Sequence, residues 1–299
     1  MAESIPTSKK APALPLALLK ALRPKQWAKN GLLWAALVFS QKYTDPGAVL
    51  DVVLGTALFC MLSSAGYLFN DLRDIEADRR HPEKRFRPLA AGHVPVRLGW
   101  AASFVLLATG ITGSFLLLPT RFGVSALTYL AITLSYSSWF KHVVLLDVML
   151  LASGFLVRAV AGAEAIGVES SPWFLVCTAF AALFVGLNKR LAEIRLLEGD
   201  APETRKILEE YTPEMLEQFI SVSTACTLIS YALYTFSGDH PRSMMLTIPF
   251  VMYGVLRYMY LVEQKRAGGA PEKILFRDRP IQICLVLYGL TTLAVLQVG

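Results

Sequence analysis

Long apolar segments recur along this chain, and they constrain its fold more than any other feature. Each has about the length that an α-helix needs to cross the hydrocarbon core of a bilayer, roughly 20 residues. Over 299 residues, 54% are apolar and only 17% are charged, a balance unusual for a soluble domain. The sequence therefore predicts an all-α, polytopic membrane protein with nine transmembrane helices around a central cavity. We place the spans at residues 27–41, 49–69, 97–118, 122–139, 143–163, 172–188, 216–237, 243–262 and 280–298.

Basic residues are distributed unequally between the two sides that these spans define. Most of the 29 Lys and Arg lie in the N-terminal segment and in alternate loops, whereas the opposite side carries only Lys42, Arg121 and Arg242. The positive-inside rule places the charged loops in the cytoplasm. We expect one domain over 1–299 in the cell (inner or plasma) membrane, with a cytoplasmic segment at 1–24 and cytoplasmic cap loops at 70–97 and 188–213. The net charge of +6 needs no nucleic acid as partner, because topology and contact with the lipid bilayer explain it.

The densest charge lies between Gly66 and Gly92, in GYLFNDLRDIEADRRHPEKRFRPLAAG. If the helix entering this segment continues through Asp78, then Asp71, Asp74 and Asp78 fall within about 60° of one another. Asn70 lies at the edge of that face. Carboxylates this close repel one another unless a cation neutralises them, so the face is a candidate Mg²⁺ site. The alternative is a solvated loop with topogenic charges.

Basic residues follow the aspartates directly. Lys84, Arg85 and Arg87 precede a turn enforced by Pro88 and Gly92, which would hold them near the acids. Their donors suit phosphate oxygens, so this segment could bind a Mg²⁺–diphosphate, with Tyr67 beside it.

Other charged residues lie at the same side of the membrane or below it. Lys25 and Lys29 are four apart and would share a helical face, either to reach a phosphate or as simple interfacial anchors. Lys141 is a more loosely placed candidate. Arg158 shares a face with Asp147 about 16 Å deeper along its helix, where an arginine is costly, and we favour a functional role there over a structural one.

The segment NKRLAEIR supplies a second group of candidates. Lys189 and Arg190 could bind phosphate, and Glu193 could contact a metal. An ordinary intrahelical ion pair between these residues explains the same spacing equally well.

These motifs resemble a known family. NDLRDIEAD with RPLAAG, and DVMLLASGFLVRAVAG, look like segments of the UbiA-type intramembrane prenyltransferase superfamily. RPKQWAKN and NKRLAEIR resemble its branch that transfers 5-phosphoribose from phosphoribosyl pyrophosphate to decaprenyl phosphate, releasing pyrophosphate, on the way to cell-wall arabinan. The resemblance implies Mg²⁺ as cofactor, with metal ligands that are also the catalytic residues: Asn70, Asp71, Asp74 and Asp78. It implies substrate binding by Lys25, Lys29, Tyr67, Lys84, Arg85, Arg87, Lys141, Arg158, Lys189, Arg190 and Glu193.

One departure from the family bears on the substrate. A second Asp-rich motif usually follows helix six, and here Lys189, Arg190 and Glu193 take its place. Cations there fit a donor with an additional 5-phosphate. The alternatives are a prenyltransferase joining a prenyl diphosphate to an aromatic or other small acceptor, and, less favoured, a lipid transporter. A homo-oligomer is left open.

Overall fold

The computed structural model describes residues 12–81, 84–197, 210–236, 241–265, 274 and 276–298. The regular structure of these residues is helical, without a strand, which confirms the all-α prediction. We number the α-helices in chain order: α1 (Leu14–Ala21), α2 (Trp34–Phe39), α3 (Pro46–Arg73), α4 (Ile75–Arg80), α5 (Val96–Leu116), α6 (Thr120–Ser138), α7 (Leu146–Ala165), α8 (Pro172–Leu197), α9 (Pro213–Phe236), α10 (Ile248–Lys265) and α11 (Arg279–Val298). Short 3₁₀ helices lie between them, at Pro24–Leu33, Lys42–Thr44, Lys84–Phe86, Phe140–His142 and Arg242–Thr247.

Seven helices in the described part of the chain are long and apolar enough to cross a membrane. They are α3, α5, α7, α8, α9, α11 and the run Arg242–Gln264 that contains α10. The protein is thus a multi-pass membrane protein. Helix α6 is 19 residues long but rich in Ser and Thr, and it lies outside this set. Nine spanning helices remain a prediction.

The prediction of one α-helix over 27–41 is wrong. The chain there forms the ten-residue 3₁₀ helix Pro24–Leu33, followed by the six-residue α2. Asn30 and Gly31, which are poor α-helix formers, lie in the middle of the segment. A 3₁₀ helix has three residues per turn, so Lys25 and Lys29 do not share a face: Lys25 is exposed and Lys29 is half-buried.

The predicted sixth span, 172–188, ends nine residues before the helix does in the structure. Helix α8 continues to Leu197, so residues 189–197 belong to it rather than to a loop. The rest of the predicted cap over 188–213 falls largely on residues 198–209, which lie outside the described residues.

Helix α7 connects two packed halves of the bundle. On one side, α3 buries Phe59 with its ring centroid 5.6 Å from that of Phe122 and 5.2 Å from that of Tyr129, both on α6. On the other side, Leu191 of α8 and Leu216 of α9 belong to a second buried cluster, which also contains residues of α10 and α11. Because α7 packs against both α6 and α8, its first turn lies among the charged ends of these helices.

Gly162 lies where α7 contacts the backbone of the 3₁₀ helix Pro24–Leu33. A Cβ atom added at Gly162 would lie 2.2 Å from the carbonyl oxygen of Leu33 and 2.7 Å from its Cα. Backbone atoms cannot move aside as the end of a side chain can, so the two segments would have to separate.

We expect Gly162→Ala to lower the free energy of unfolding by about 1–3 kcal/mol through overpacking. Gly254→Ala is the matched control, because nothing lies within 4 Å of its added Cβ on α10. Thermal unfolding of the detergent-solubilised variants measures both. Equal midpoints for the two variants would contradict the close approach.

Candidate active site

The three aspartates Asp71, Asp74 and Asp78, which we call the acidic cluster, lie where α3 gives way to α4. Asp71 is in the last turn of α3, Asp74 joins the two helices, and Asp78 is in α4. The helix is interrupted at Asp74 (φ −95°, ψ 10°), so the uninterrupted helix expected through Asp78 is not formed. Asp71 and Asp78 are buried, whereas the Asp74 side chain is 24% exposed.

Three cations of the protein itself neutralise the acidic cluster. Arg23 donates to Asp71 at 2.5 Å. Arg87 donates from one nitrogen to Asp71 at 3.0 Å and to Asp78 at 2.6 Å. Lys141, from the 3₁₀ helix Phe140–His142, donates to Asp74 at 2.6 Å. The segment before α2, the loop after α4 and the loop before α7 therefore meet at one end of the bundle.

The donor set of this cluster fits Mg²⁺ when part of the coordination comes from substrate. In the described residues, each carboxylate uses only one oxygen in these ion pairs: Oδ1 of Asp71, Oδ1 of Asp74 and Oδ2 of Asp78. The second oxygen of each accepts no hydrogen bond there, and Asn70 lies half-buried beside them. No three Asp, Glu, His or Cys side chains in the described chain are grouped to hold a metal by themselves. Mg²⁺ is commonly bound by one or two carboxylates together with substrate phosphates and water, which this arrangement allows.

The buried carboxyl of Asp78 holds its proton more tightly than an ordinary aspartate does. Burial raises the pKa of its carboxyl above the ordinary aspartate value, and neighbouring Asp71 acts in the same direction, although Arg87 opposes both. The folded protein therefore holds this proton more tightly than the unfolded chain does.

A pH dependence of stability follows for the metal-free protein. As the pH falls from neutrality towards the ordinary pKa of an aspartate, protonation of Asp78 should stabilise the folded state; as the pH rises again through the raised pKa, that contribution is lost. We expect the Asp78→Asn variant to lack this pH-dependent stabilisation. Unfolding of both proteins in a chelator, at several pH values, measures the difference, and identical pH profiles would contradict the raised pKa.

The predicted basic partners of the aspartates divide into two groups. Arg87 is in direct contact with them, and Lys84 acts electrostatically on Asp78. Arg85 is exposed and its guanidinium lies over the ring of Phe86, 4.8 Å from the centroid. Among the residues predicted for this segment, Arg85 is therefore not brought to the acidic cluster.

Lys29 and Glu193 both act electrostatically on Lys189. Both lysines are half-buried. Two ammonium groups that repel each other favour an anion bound by both. Tyr136 contributes to the same surroundings, whereas Lys25 is exposed.

Arg190 is committed to a buried network rather than exposed for a substrate. Its side chain is 2% exposed and donates from Nε to Asp147 at 2.6 Å. Its other nitrogens donate to Glu193 and, at 3.4 Å, to the hydroxyl of Tyr136. The ion pair with Glu193 is the intrahelical alternative that the sequence left open. Glu193, 29% exposed, remains accessible on the same turn.

Arg158 is buried in the membrane-spanning part of α7, and neutral groups surround it. It donates to Asn30, to the carbonyl of Gly154 and to the hydroxyl of Tyr129, each at 2.8 Å. Its guanidinium also lies 4.6 Å from the centroid of the Tyr129 ring. Asp147, expected on its face, pairs with Arg190 instead. These contacts favour a structural role for Arg158 over the functional role that the sequence favours.

Sequence reasoning missed two residues of this site. Arg23 contacts Asp71 from a left-handed backbone conformation (φ 54°) and lies over the ring of Tyr67, 4.9 Å from its centroid. A signal existed, because Arg23 begins the basic segment RPKQWAK. Tyr211 donates to Asp147 at 2.8 Å, and no local pattern distinguishes it.

Characterised relatives align with nearly the whole chain. It is 39% identical to the decaprenyl-phosphate phosphoribosyltransferase of Corynebacterium glutamicum over 284 residues, covering 89% of this chain and 82% of the relative. It is 36% identical to the protein of the same name from Mycolicibacterium smegmatis, covering 96% and 94%. The Mycobacterium tuberculosis protein of that name is 35% identical, with 94% and 95% covered.

Solved structures share the fold. A UbiA homolog from Archaeoglobus fulgidus bound to GPP and Mg²⁺ superposes with a TM-score of 0.74 at 21% identity, covering 94% of this chain and 99% of that one. The family model described as the UbiA prenyltransferase family matches residues 31–277. This range includes the acidic cluster, Lys141, Lys189 and Glu193. The chain belongs to the UbiA prenyltransferase family.

Proposed function

We propose that the protein transfers the 5-phosphoribosyl group of phosphoribosyl pyrophosphate to decaprenyl phosphate, or another polyprenyl phosphate, and releases pyrophosphate. The observation that carries this proposal is the acidic cluster interleaved with Arg23, Arg87 and Lys141, because it offers both metal ligands and phosphate donors at one place. The relatives named decaprenyl-phosphate phosphoribosyltransferase, at 35–39% identity over most of the chain, support the same acceptor and the transfer of a phosphoribosyl group.

Asp74 and Asp78 would hold Mg²⁺, with Asp71 and Asn70 in support. When bound, the ion would neutralise negative charge developing on the departing pyrophosphate. Arg23, Arg87 and Lys141 would turn from the carboxylates to the diphosphate oxygens, where charge-assisted hydrogen bonds are strong. Lys84 adds positive charge beside them.

The proposed transfer requires no general base from the protein. The bond between ribose C1 and the pyrophosphate oxygen breaks, and an oxygen of the lipid phosphate bonds to C1. Because the lipid phosphate is ionised at neutral pH, no proton has to be removed from the nucleophile. Carboxylates near C1 would favour the positive charge that the sugar ring develops.

Lys29 and Lys189 would bind the remaining phosphate, either the 5-phosphate of the donor or the phosphate of the lipid. The two like charges repel each other, so an anion bound by both would lower their repulsion. Lys189, with Arg190 and Glu193, occupies the place where family members usually carry a second set of acids, and this difference distinguishes the proposal from transfer of a prenyl diphosphate.

The distribution of basic residues supports one orientation of the bundle in the membrane. We propose that the end of the bundle with the acidic cluster faces the cytoplasm, because the excess of Lys and Arg lies on that side. The polyprenyl tail would then lie in the bilayer, where it avoids the cost of hydration. The whole chain would act as one transmembrane domain.

The test is an assay of the purified protein with labelled phosphoribosyl pyrophosphate and decaprenyl phosphate, with and without Mg²⁺. We expect pyrophosphate release that requires both the lipid and the metal. Parallel reactions with geranyl diphosphate and 4-hydroxybenzoate test the prenyltransferase alternative. Turnover in these reactions, without any phosphoribosyl transfer, would reject the proposal.

A further inference from the structure

The hydroxyl of Tyr211 makes two hydrogen bonds with residues at the start of α7. It donates to Oδ1 of Asp147 at 2.8 Å and accepts from the backbone N–H of Leu145 at 2.7 Å. Tyr211 itself is 3% exposed and lies just before α9. Burial raises its pKa to about 12, so the hydroxyl keeps its proton at neutral pH and continues to donate to Asp147.

The hydrogen bond with Leu145 connects Tyr211 to the loop that carries Lys141, the partner of Asp74. Leu145 has a left-handed backbone (φ 64°) and is the N-cap residue of α7. This conformation is costly for a side chain branched like leucine and persists only where its surroundings hold it. Four residues earlier in the same loop, Lys141 donates to Asp74 at 2.6 Å. The Tyr211 hydroxyl therefore fixes the loop that delivers Lys141.

The hydrogen bond with Asp147 connects Tyr211, through Arg190, to Glu193. Asp147 accepts from Tyr211 on one oxygen and from Arg190 on the other. Arg190 in turn donates to Glu193, the partly exposed acid next to Lys189. Asp147 is fully buried, so each of its hydrogen bonds is expensive to leave unmade.

We propose that Tyr211 is a positioning residue that holds the two sides of the active site, Lys141–Asp74 and Arg190–Glu193, at a fixed separation for a phosphate-bearing donor. This inference rests on the proposed function. The Tyr211 hydroxyl bonds to Leu145 and Asp147 rather than to the acidic cluster or Glu193. It acts through Leu145 on one side and through Asp147 and Arg190 on the other.

The first test is Tyr211→Phe, which removes one oxygen and leaves the buried ring in place. We expect the affinity for Mg²⁺–pyrophosphate, measured by calorimetry, to fall about tenfold, as expected for a lost hydrogen bond to a charged group. In the transfer assay, KM for the donor should rise by a similar factor with a smaller change in kcat. Tyr253→Phe is the matched control, because that tyrosine is 47% exposed on α10. Unchanged affinity in Tyr211→Phe would overturn the proposal.

A double-mutant cycle separates positioning from a general loss of packing. In a Glu193→Gln background, the second substitution Tyr211→Phe should cost much less than tenfold in affinity, because both changes interrupt the same chain of contacts. Full additivity in this background, and also in a Lys141→Ala background, would show that Tyr211 does not act through either side.

A third measurement needs no variant and so remains decisive if Tyr211→Phe fails to fold. We expect Mg²⁺–pyrophosphate to slow hydrogen exchange at the amide of Leu145 in the unaltered protein, since the bound ligand stiffens the loop that Tyr211 holds. Unchanged exchange at saturating ligand would count against the coupling. These binding experiments also separate the two hypotheses: failure of phosphoribosyl transfer with intact coupling rejects only the proposed function.

Discussion

Replacing Asp74 or Asp78 by asparagine will reduce phosphoribosyl transfer by about 10²-fold or more, a loss typical of removing one charged group that stabilises a transition state. Asparagine keeps the shape and one oxygen of the side chain but removes the charge that a divalent ion requires. In Asp74→Asn, Lys141 faces a neutral amide. In Asp78→Asn, Arg87 faces a neutral amide and keeps its ion pair with Asp71.

The loss should occur without unfolding. For Asp78, burial already disfavours the charged form, so the neutral amide should not weaken the metal-free fold at neutral pH. Glu76→Gln is the matched control, because Glu76 is 72% exposed and pairs with Arg79 away from the cluster. Initial rates over a range of Mg²⁺ concentrations, with a thermal melt of each variant, decide the matter. Full activity in either aspartate variant would remove the cluster from the mechanism.

The second large effect concerns stability. Arg190→Ala should lower the free energy of unfolding by about 3–5 kcal/mol, because it leaves the buried carboxylate of Asp147 without its cation. Arg195→Ala is the comparison on the same helix. Its partners Glu217 and Glu263 are half exposed, and exposed ion pairs contribute about 0–1 kcal/mol.

A double substitution tests the cause of that loss. Asp147→Leu combined with Arg190→Met removes both charges and keeps the volume, so it should recover much of the stability that Arg190→Ala loses. Unfolding by denaturant or heat gives the stability of the unaltered protein, of Arg190→Ala and of the double variant. A double variant as unstable as Arg190→Ala would show that packing, rather than an unpaired charge, dominates at this position.

The fold class, and the stretch of chain that forms the acidic cluster of the candidate site, could be predicted from the sequence for identifiable reasons. Apolar length reveals a spanning helix directly, so α3, α5 and α7 were anticipated with modest errors in their bounds. Aspartates separated by three and four residues near a helix end indicated the acidic cluster in the same way. Both signals are local, and local spacing is what a sequence displays.

Side-chain partners over long sequence distances could not be anticipated. Arg190 was expected to bind phosphate, but it lies 43 residues from Asp147 in sequence, and their pairing depends on how α7 packs against α8. Arg158 likewise finds Asn30, 128 residues away. The 3₁₀ helix Pro24–Leu33 was missed because apolar content alone does not distinguish it from an α-helix.

The balance of three aspartates against Arg23, Arg87 and Lys141 has a consequence for how the reaction begins. With its own counter-ions in place, the acidic cluster carries little net charge to attract a bare divalent ion arriving from water. A metal already chelated by the donor would bring anionic oxygens for the three basic side chains, and the carboxylates would then be available to hold the metal. If the proposed function holds, this arrangement would favour joint entry of metal and donor over sequential loading.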